Sequence, residues 1–270
     1  MNRLHLVLLV GAIGCAQDSQ ATVDALDPSR FQLVDLSHSF NAQTIYWPTS
    51  TKTFEHAQQA YGSTPGGWFY SSYELSTPEH GGTHLDAPIH FGEGKHTADQ
   101  IPLSRLVARA VVIDISAKAD ADRASTLTPD DVAAFEREHG QIPEGAIVLL
   151  RTGWSRHWPN RLAYLGDSTP GDASKLNFPS FGPDAARILV DERRVAALGV
   201  DVASIDAGRS ADFMVHRVAA AANVPGFENL TNLDQLPPTG AVVIALPMKI
   251  EGGSGGPLRA IAAVPRAPGQ

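Results

Sequence analysis

The sequence predicts an α/β domain, on three observations. Short apolar runs recur along the chain, and several are unbroken, as in strands buried on both faces. Stretches with helical caps alternate with them. From about residue 30 onward there is no internal repeat, which points to one domain.

Taken in order, residues 31–36 alternate between apolar and polar side chains and predict the first strand. Residues 68–75, 110–115, 146–150, 195–200 and 241–246 predict further strands. A helix is expected over 132–139. Thr128 caps it, Pro129 takes its first position, acids fill its first turn and Gly140 ends it. Residues 183–194 predict a second helix, with Arg193 and Arg194 at the end where the helix dipole favours cations. Residues 210–222 predict a third. Residues 156–181 are rich in Pro, Gly, Asn and Ser, and read as a long surface loop suited to a lid or a subunit contact. Residues 252–257 read as a glycine-rich connector.

Composition narrows the function. The chain has 270 residues, with 21 basic against 29 acidic side chains, a net charge of −8. That balance, with no basic cluster, excludes nucleic acid as a main partner. An apolar fraction of 43% with only 19% charge excludes intrinsic disorder. A single cysteine excludes a disulfide framework and any zinc site built from cysteine pairs. A metal site here must draw on His, Asp and Glu.

The N-terminus reads as a signal peptide over residues 1–14. Its apolar run, residues 4–14, is broken only by His5 and falls short of the roughly 20 residues a membrane span needs. Ala12-Ile13-Gly14-Cys15 resembles a bacterial lipobox, so Cys15 is expected to be the lipidated first residue of the mature chain. Residues 15–29 then form a polar tether, and residues 30–270 the domain. The expectation is an exported lipoprotein facing the periplasm or the cell exterior, touching the membrane only through the anchor at Cys15.

The chemistry concentrates in His80-Gly81-Gly82-Thr83-His84-Leu85-Asp86-Ala87-Pro88-Ile89-His90. A helix does not fit, because Asp86 leaves the face shared by His80 and His84, and Gly81, Gly82 and Pro88 disfavour a helix interior. In an extended segment the even positions share one side, so His80, His84, Asp86 and His90 converge while Leu85 and Ile89 point away. Imidazoles converging on a carboxylate suit a divalent cation: Zn²⁺ first, Mn²⁺ where carboxylates are plentiful. The isolated histidines His38, His56, His96, His139 and His157 read as structural. His139 fits a helix C-terminus.

This segment resembles the signature His-x-Gly-Thr-His-x-Asp-x-Pro-x-His of the metal-dependent cyclase family, which includes bacterial kynurenine formamidases and isatin hydrolases. Residues 34–38, 45–48, 149–154, 199–206 and 245–250 also resemble family segments. The resemblance implies a single-domain swivelling β/β/α fold with a mixed sheet and flanking helices. It implies that His80 and His84 bind a first metal, that Asp86 contacts one or both ions, and that His90 accepts and donates the proton. His216 and Glu228 match a second-metal histidine and a bridging glutamate, and Trp47 matches an aromatic residue near the substrate. The implied cofactor is one or two divalent ions, Zn²⁺ first and Mn²⁺ as the alternative. The implied assembly is a homo-oligomer, dimer or tetramer.

The implied reaction is hydrolysis of an amide C–N bond by metal-activated water. Its expected substrate is a small aromatic formamide of the N-formylkynurenine type. The alternatives are an isatin-type cyclic amide, toward which the ending at 247–257 leans, and a non-catalytic metal-binding lipoprotein. His90 favours an enzyme, since a binding module needs no spare proton-transfer group. No Gly-x-Ser-x-Gly elbow is present, which argues against a serine route. An exported location suits an environmental amide better than tryptophan catabolism in the cytosol. Trp47, Trp68, Phe69 and Tyr70 are candidates for an aromatic pocket wall.

Overall fold

A computed structural model describes residues 30–266. The signal segment, Cys15 and the tether lie outside them. The strands are β1 (Phe31–Asp35), β2 (Glu55–Ser63), β3 (Phe69–Ser76), β4 (His84–Asp86), β5 (Val107–Asp114), β6 (Thr126–Leu127), β7 (Ile147–Arg151), β8 (Ser180–Phe181), β9 (Ala197–Val200), β10 (Gly226–Glu228), β11 (Thr239–Pro247) and β12 (Gly255–Pro265). The helices are α1 (Ser116–Ala121), α2 (Pro129–His139), α3 (Arg161–Leu165), α4 (Pro183–Arg187) and α5 (Met214–Ala221). None is long and apolar enough to cross a membrane.

The main sheet runs β1-β12-β11-β5-β7-β9-β10-β4, and β4 also pairs with β12. All of these strands but β1 therefore close into a ring. The sheet is mixed: β5, β7, β9 and β10 run parallel, and β4, β11 and β12 join antiparallel. Alternation along the strands builds two cores. Val148 and Leu150 of β7 face outward onto α2, where Val132 and Phe135 pack. Ile147 and Leu149 face the ring interior with Leu85 and Phe227. Both faces of β7 are buried, which is why its sequence is an unbroken apolar run. Small side chains keep the ring narrow, as where Ala245 pairs with Ala260.

The cap at α2 forms as its sequence demands: Thr128 accepts from the Asp131 backbone, and Asp131 reaches back to Thr128. Other expectations change. Residues 156–181 are not a plain surface loop. They contain α3 and β8, and Tyr164, Leu165, Phe178 and Phe181 are fully buried in the outer core. Pro and Gly between these anchors disguised a packed segment as a connector. The helix expected over 183–194 is regular only through Arg187, then widens into a π turn over Ile188–Glu192. The connector expected at 252–257 becomes strand at Gly255, the start of β12. The polar strand β2 pairs with β3 in a separate two-stranded ribbon that the periodicity did not predict.

Candidate metal centre and active site

The polar half of the site begins on β4. Leu85 is wholly buried in the ring interior, so His84 and Asp86 must point to the outer face. On the neighbouring β10, Phe227 also faces inward, and Glu228 stands directly opposite His84. The strict alternation expected over 80–90 holds only within β4. His80 comes from the bend before it, and His90 ends a short 3₁₀ turn at Pro88–His90.

Two glycine pairs make this convergence possible. Gly82 has a φ of +58°, a left-handed conformation that other residues seldom take, and a side chain on Gly81 would strike the Tyr46 ring. Across the two ladders, Asp86 is paired with Gly226 on one side and Gly255 on the other. The missing side chain at Gly255 leaves room for the His80 ring, and that at Gly226 leaves room for Ile205 beside Asp86. His80 Nδ1 lies 2.5 Å from Asp86 Oδ1, and His216 Nε2 lies 2.9 Å from Asp86 Oδ2. His84 Nε2 is 3.1 Å from Asp86 Oδ1 and 3.5 Å from Glu228 Oε2, and His216 Nε2 is 3.2 Å from Glu228 Oε1.

Each carboxylate therefore turns one oxygen toward His84 and the other toward His216. Two donor sets result, His80–His84–Asp86 and Asp86–His216–Glu228, with the donor atoms of each set within 4.8 Å of one another. The outward ring nitrogens fit a cation as well. His84 Nδ1 bonds the Gly82 carbonyl at 3.0 Å, and His216 Nδ1 bonds Asp206 Oδ2 at 2.7 Å. Both rings thus hold Nε2 toward the cluster, the usual way a histidine is prepared for a metal. Asp206 also accepts the backbone N–H groups of Val215 and His216, so one carboxylate fixes both the start of α5 and the ring it carries.

The electrostatics are those of buried charges crowded together. Burial opposes a charge on His84, yet Asp86 and then Glu228 outweigh it and hold its pKa up at about 9. His216 is raised well above the ordinary value by its bonds to Asp206, Asp86 and Glu228, again against burial. Asp86 is held well below the carboxylate range because the surrounding imidazoles overcome its burial. Glu228 goes up, through burial and then repulsion from Asp86. His90 behaves differently. It faces the open cavity, and the packing behind it drives its pKa down to about 4. Asp86 pulls it partly back, and the neighbouring imidazoles push it further down.

A cavity of about 370 Å³ opens over the cluster. His80, His84, Asp86, His90, His216 and Glu228 line it, and so does Trp47. The His90 ring stacks on His80 with centroids 3.9 Å apart. Phe213 links the aromatic wall, 6.2 Å from Trp47 and 5.2 Å from Phe91. It sits in a left-handed conformation, φ 50°, at the start of α5. Among the described residues no Lys or Arg lines this cavity. Trp68, Phe69 and Tyr70 are elsewhere, on and beside the ribbon of β2 and β3, and are 64%, 60% and 52% exposed.

The sequence reading missed Asp206, Phe91, Phe213, Glu79 and Ser254. Asp206 ends a segment noted only for its family likeness, and Glu79 directly precedes the histidine-rich motif. Glu79 was a candidate on proximity alone.

Comparison with known proteins agrees with this geometry. The Cyclase family model matches residues 34–207. This chain belongs to the cyclase family. It is 37% identical over 209 residues to an isatin hydrolase of Roseibium aggregatum, covering 74% of this chain and 78% of that one. It is 29% identical over 229 residues to a kynurenine formamidase of Salinibacter ruber, covering 85% and 96%. The crystal structure of an isatin hydrolase bound to the product analogue thioisatinate superposes with a TM-score of 0.84 at 31% identity, over 94% of this chain and all of that one, 100%. The α/β fold expected from the sequence is the cyclase-family fold.

Proposed function

We propose that this protein opens a neutral cyclic aryl amide of the isatin type by hydrolysis. Divalent ions held by His80, His84, Asp86, His216 and Glu228 would serve the reaction. The protein is a metal-dependent hydrolase acting on a carbon–nitrogen bond other than a peptide bond. One observation carries the choice of substrate: the cavity joins a carboxylate–imidazole cluster to an aromatic wall and has no Lys or Arg in its lining among the described residues. N-formylkynurenine brings an amino-acid carboxylate, which would be desolvated there beside Asp86 and Glu228 with no Lys or Arg to pair it. A flat neutral ring asks only for stacking on Trp47, Phe91 and Phe213. The likeness to isatin hydrolases supports the same reading.

A divalent ion, when bound, polarises a carbonyl and lowers the pKa of its water from about 15.7 toward about 7. His90, a neutral base throughout the physiological range, accepts the proton that attacking water loses. It then returns that proton to the nitrogen as the C–N bond breaks. Asp206 and the Gly82 carbonyl keep His216 and His84 turned toward the cluster. The divided oxygens of Asp86 and Glu228 support two ions. The imidazoles favour Zn²⁺, and the paired carboxylates also suit Mn²⁺.

The proposal extends to location and assembly. Residues 1–14 would direct export and Cys15 would carry the lipid anchor. A homo-oligomer is supported by the ribbon of β2 and β3, where Tyr61, Phe69 and Tyr73 are exposed by 65%, 60% and 42%. Tyr61 and Phe69 meet edge to face at 5.1 Å on one face of that ribbon.

The test is a hydrolysis screen of purified protein with metal analysis. Isatin turns over at least tenfold better than N-formylkynurenine, and chelation abolishes both activities until Zn²⁺ or Mn²⁺ is restored. Faster turnover of the linear formamide overturns the cyclic-amide reading. No turnover of either by metal-loaded protein returns the chain to the non-catalytic alternative.

A further inference from the structure

The cluster contains three imidazoles, and two have an outward nitrogen fixed by a plain acceptor. The third, His80, is turned the other way: Nδ1 faces Asp86, and Nε2 lies 2.8 Å from Ser254 Oγ. That hydroxyl is itself committed, since Ser254 Oγ donates to Glu79 Oε2 at 2.6 Å. A hydroxyl has one proton, and a charge-assisted bond to a carboxylate takes it. Ser254 Oγ can then only accept from His80, so the ring carries a hydrogen on Nε2; Nδ1, which donates to Asp86 when no cation is bound, is the nitrogen left to bind one.

We propose that Ser254, oriented by Glu79, is a positioning residue that sets the tautomer and tilt of His80 for cation binding. The inference rests on the metal reading above. It assigns to the glycine-rich segment at 252–257 a role beyond connection.

Three observations set this apart from simple loop pinning. Glu79 Oε2 also accepts the Ser254 backbone N–H at 2.9 Å, so the loop is held without the hydroxyl. Ala87 N donates to Ser254 O at 2.8 Å and Ala98 N to Gly253 O at 2.9 Å, two further backbone ties. Among these contacts only the hydroxyl continues to His80. The adjoining Gly255 is shaped for the same ring: a Cβ there would lie 2.7 Å from His80 Cε1 and 3.1 Å from Nδ1. One short loop therefore supplies both the space for the imidazole and its hydrogen-bond partner. Carboxylate–histidine–metal chains do this directly elsewhere; here a serine stands between.

Zinc dissociation constants of wild type, Ser254→Ala and Ser254→Thr, measured by chelator competition, test the idea. Metal-free melting temperatures are recorded beside them. Ser254→Ala should bind zinc about tenfold to a hundredfold more weakly, the usual effect of removing an outer partner of a metal-binding histidine. Its metal-free melting temperature should match the wild type, and Ser254→Thr, which keeps the hydroxyl, should restore affinity. Equal affinity in wild type and Ser254→Ala overturns the proposal. A lower metal-free melting temperature in Ser254→Ala, or no rescue by Ser254→Thr, also overturns it by showing a packing role. If the wild type binds no zinc or manganese, the metal reading itself fails, a result distinct from all of these.

Discussion

The two halves of the site are built in opposite ways. His80, His84, Asp86 and His90 lie within a single segment, and their meeting is a matter of local backbone: one short strand, two glycines before it and a turn after it. His216 and Glu228 arrive on α5 and β10, and their positions depend on the closing of the whole ring. The local half can be read from spacing. The remote half needs a helix seated by Asp206 and a strand paired to β4. The difference teaches that a compact motif announces a site but does not delimit it. Asp86 belongs to both halves, one oxygen to each, and couples what is local to what is assembled.

Substitutions can break this comparison in graded steps. Asp86→Asn acts on both halves, so it should cost the most: metal affinity more than about 100-fold weaker, beyond the range typical of outer partners, and activity lost with the metal. Metal content after dialysis checks it, and full retention would remove Asp86 from both donor sets. His90→Ala belongs to the local half but should spare the ions, leaving metal content unchanged while kcat falls by about 10²–10⁴-fold. Glu228→Gln keeps an acceptor for the Ile205 backbone N–H, now 2.8 Å from Oε1, while removing the remote carboxylate charge. It should lower the metal-to-protein ratio toward that of the local half alone, and an unchanged ratio would mean that the remote set is not a second site.

A histidine outside both halves sharpens the contrast. His38 stacks on Trp158 with centroids 4.2 Å apart, and its Nε2 has no hydrogen-bond partner among the described residues. Burial lowers its pKa to about 4, despite the charge of Asp35, whereas carboxylate-flanked His84 stands at about 9. At His38 the unfolded chain, with an ordinary histidine near 6.5, binds more protons than the folded one between about pH 4 and pH 6.5. The contribution of His38 to stability is therefore fully present above pH 6.5 and declines as pH falls toward 4. The loss is about 1–2 kcal/mol once screening by remaining solvent contact is allowed for. His38→Phe keeps the stacked ring and should remove this decline, seen as a urea midpoint that changes less with pH over that interval.

The sequence by itself determined the ligand-rich segment, the capped helix α2 and the buried strands, because each follows from the order of neighbouring residues. Periodicity places Leu85 inward and His84 outward whatever the rest of the chain does. It could not show that residues 156–181 are packed by Tyr164 and Phe178, or that Trp68, Phe69 and Tyr70 stand clear of the cavity. Nor could it link Glu79 to Ser254 across 175 positions. Those contacts depend on ring closure, which brings distant strands to the two sides of β4. Only the tertiary structure decides which glycines face Asp86 and which hydroxyl meets His80.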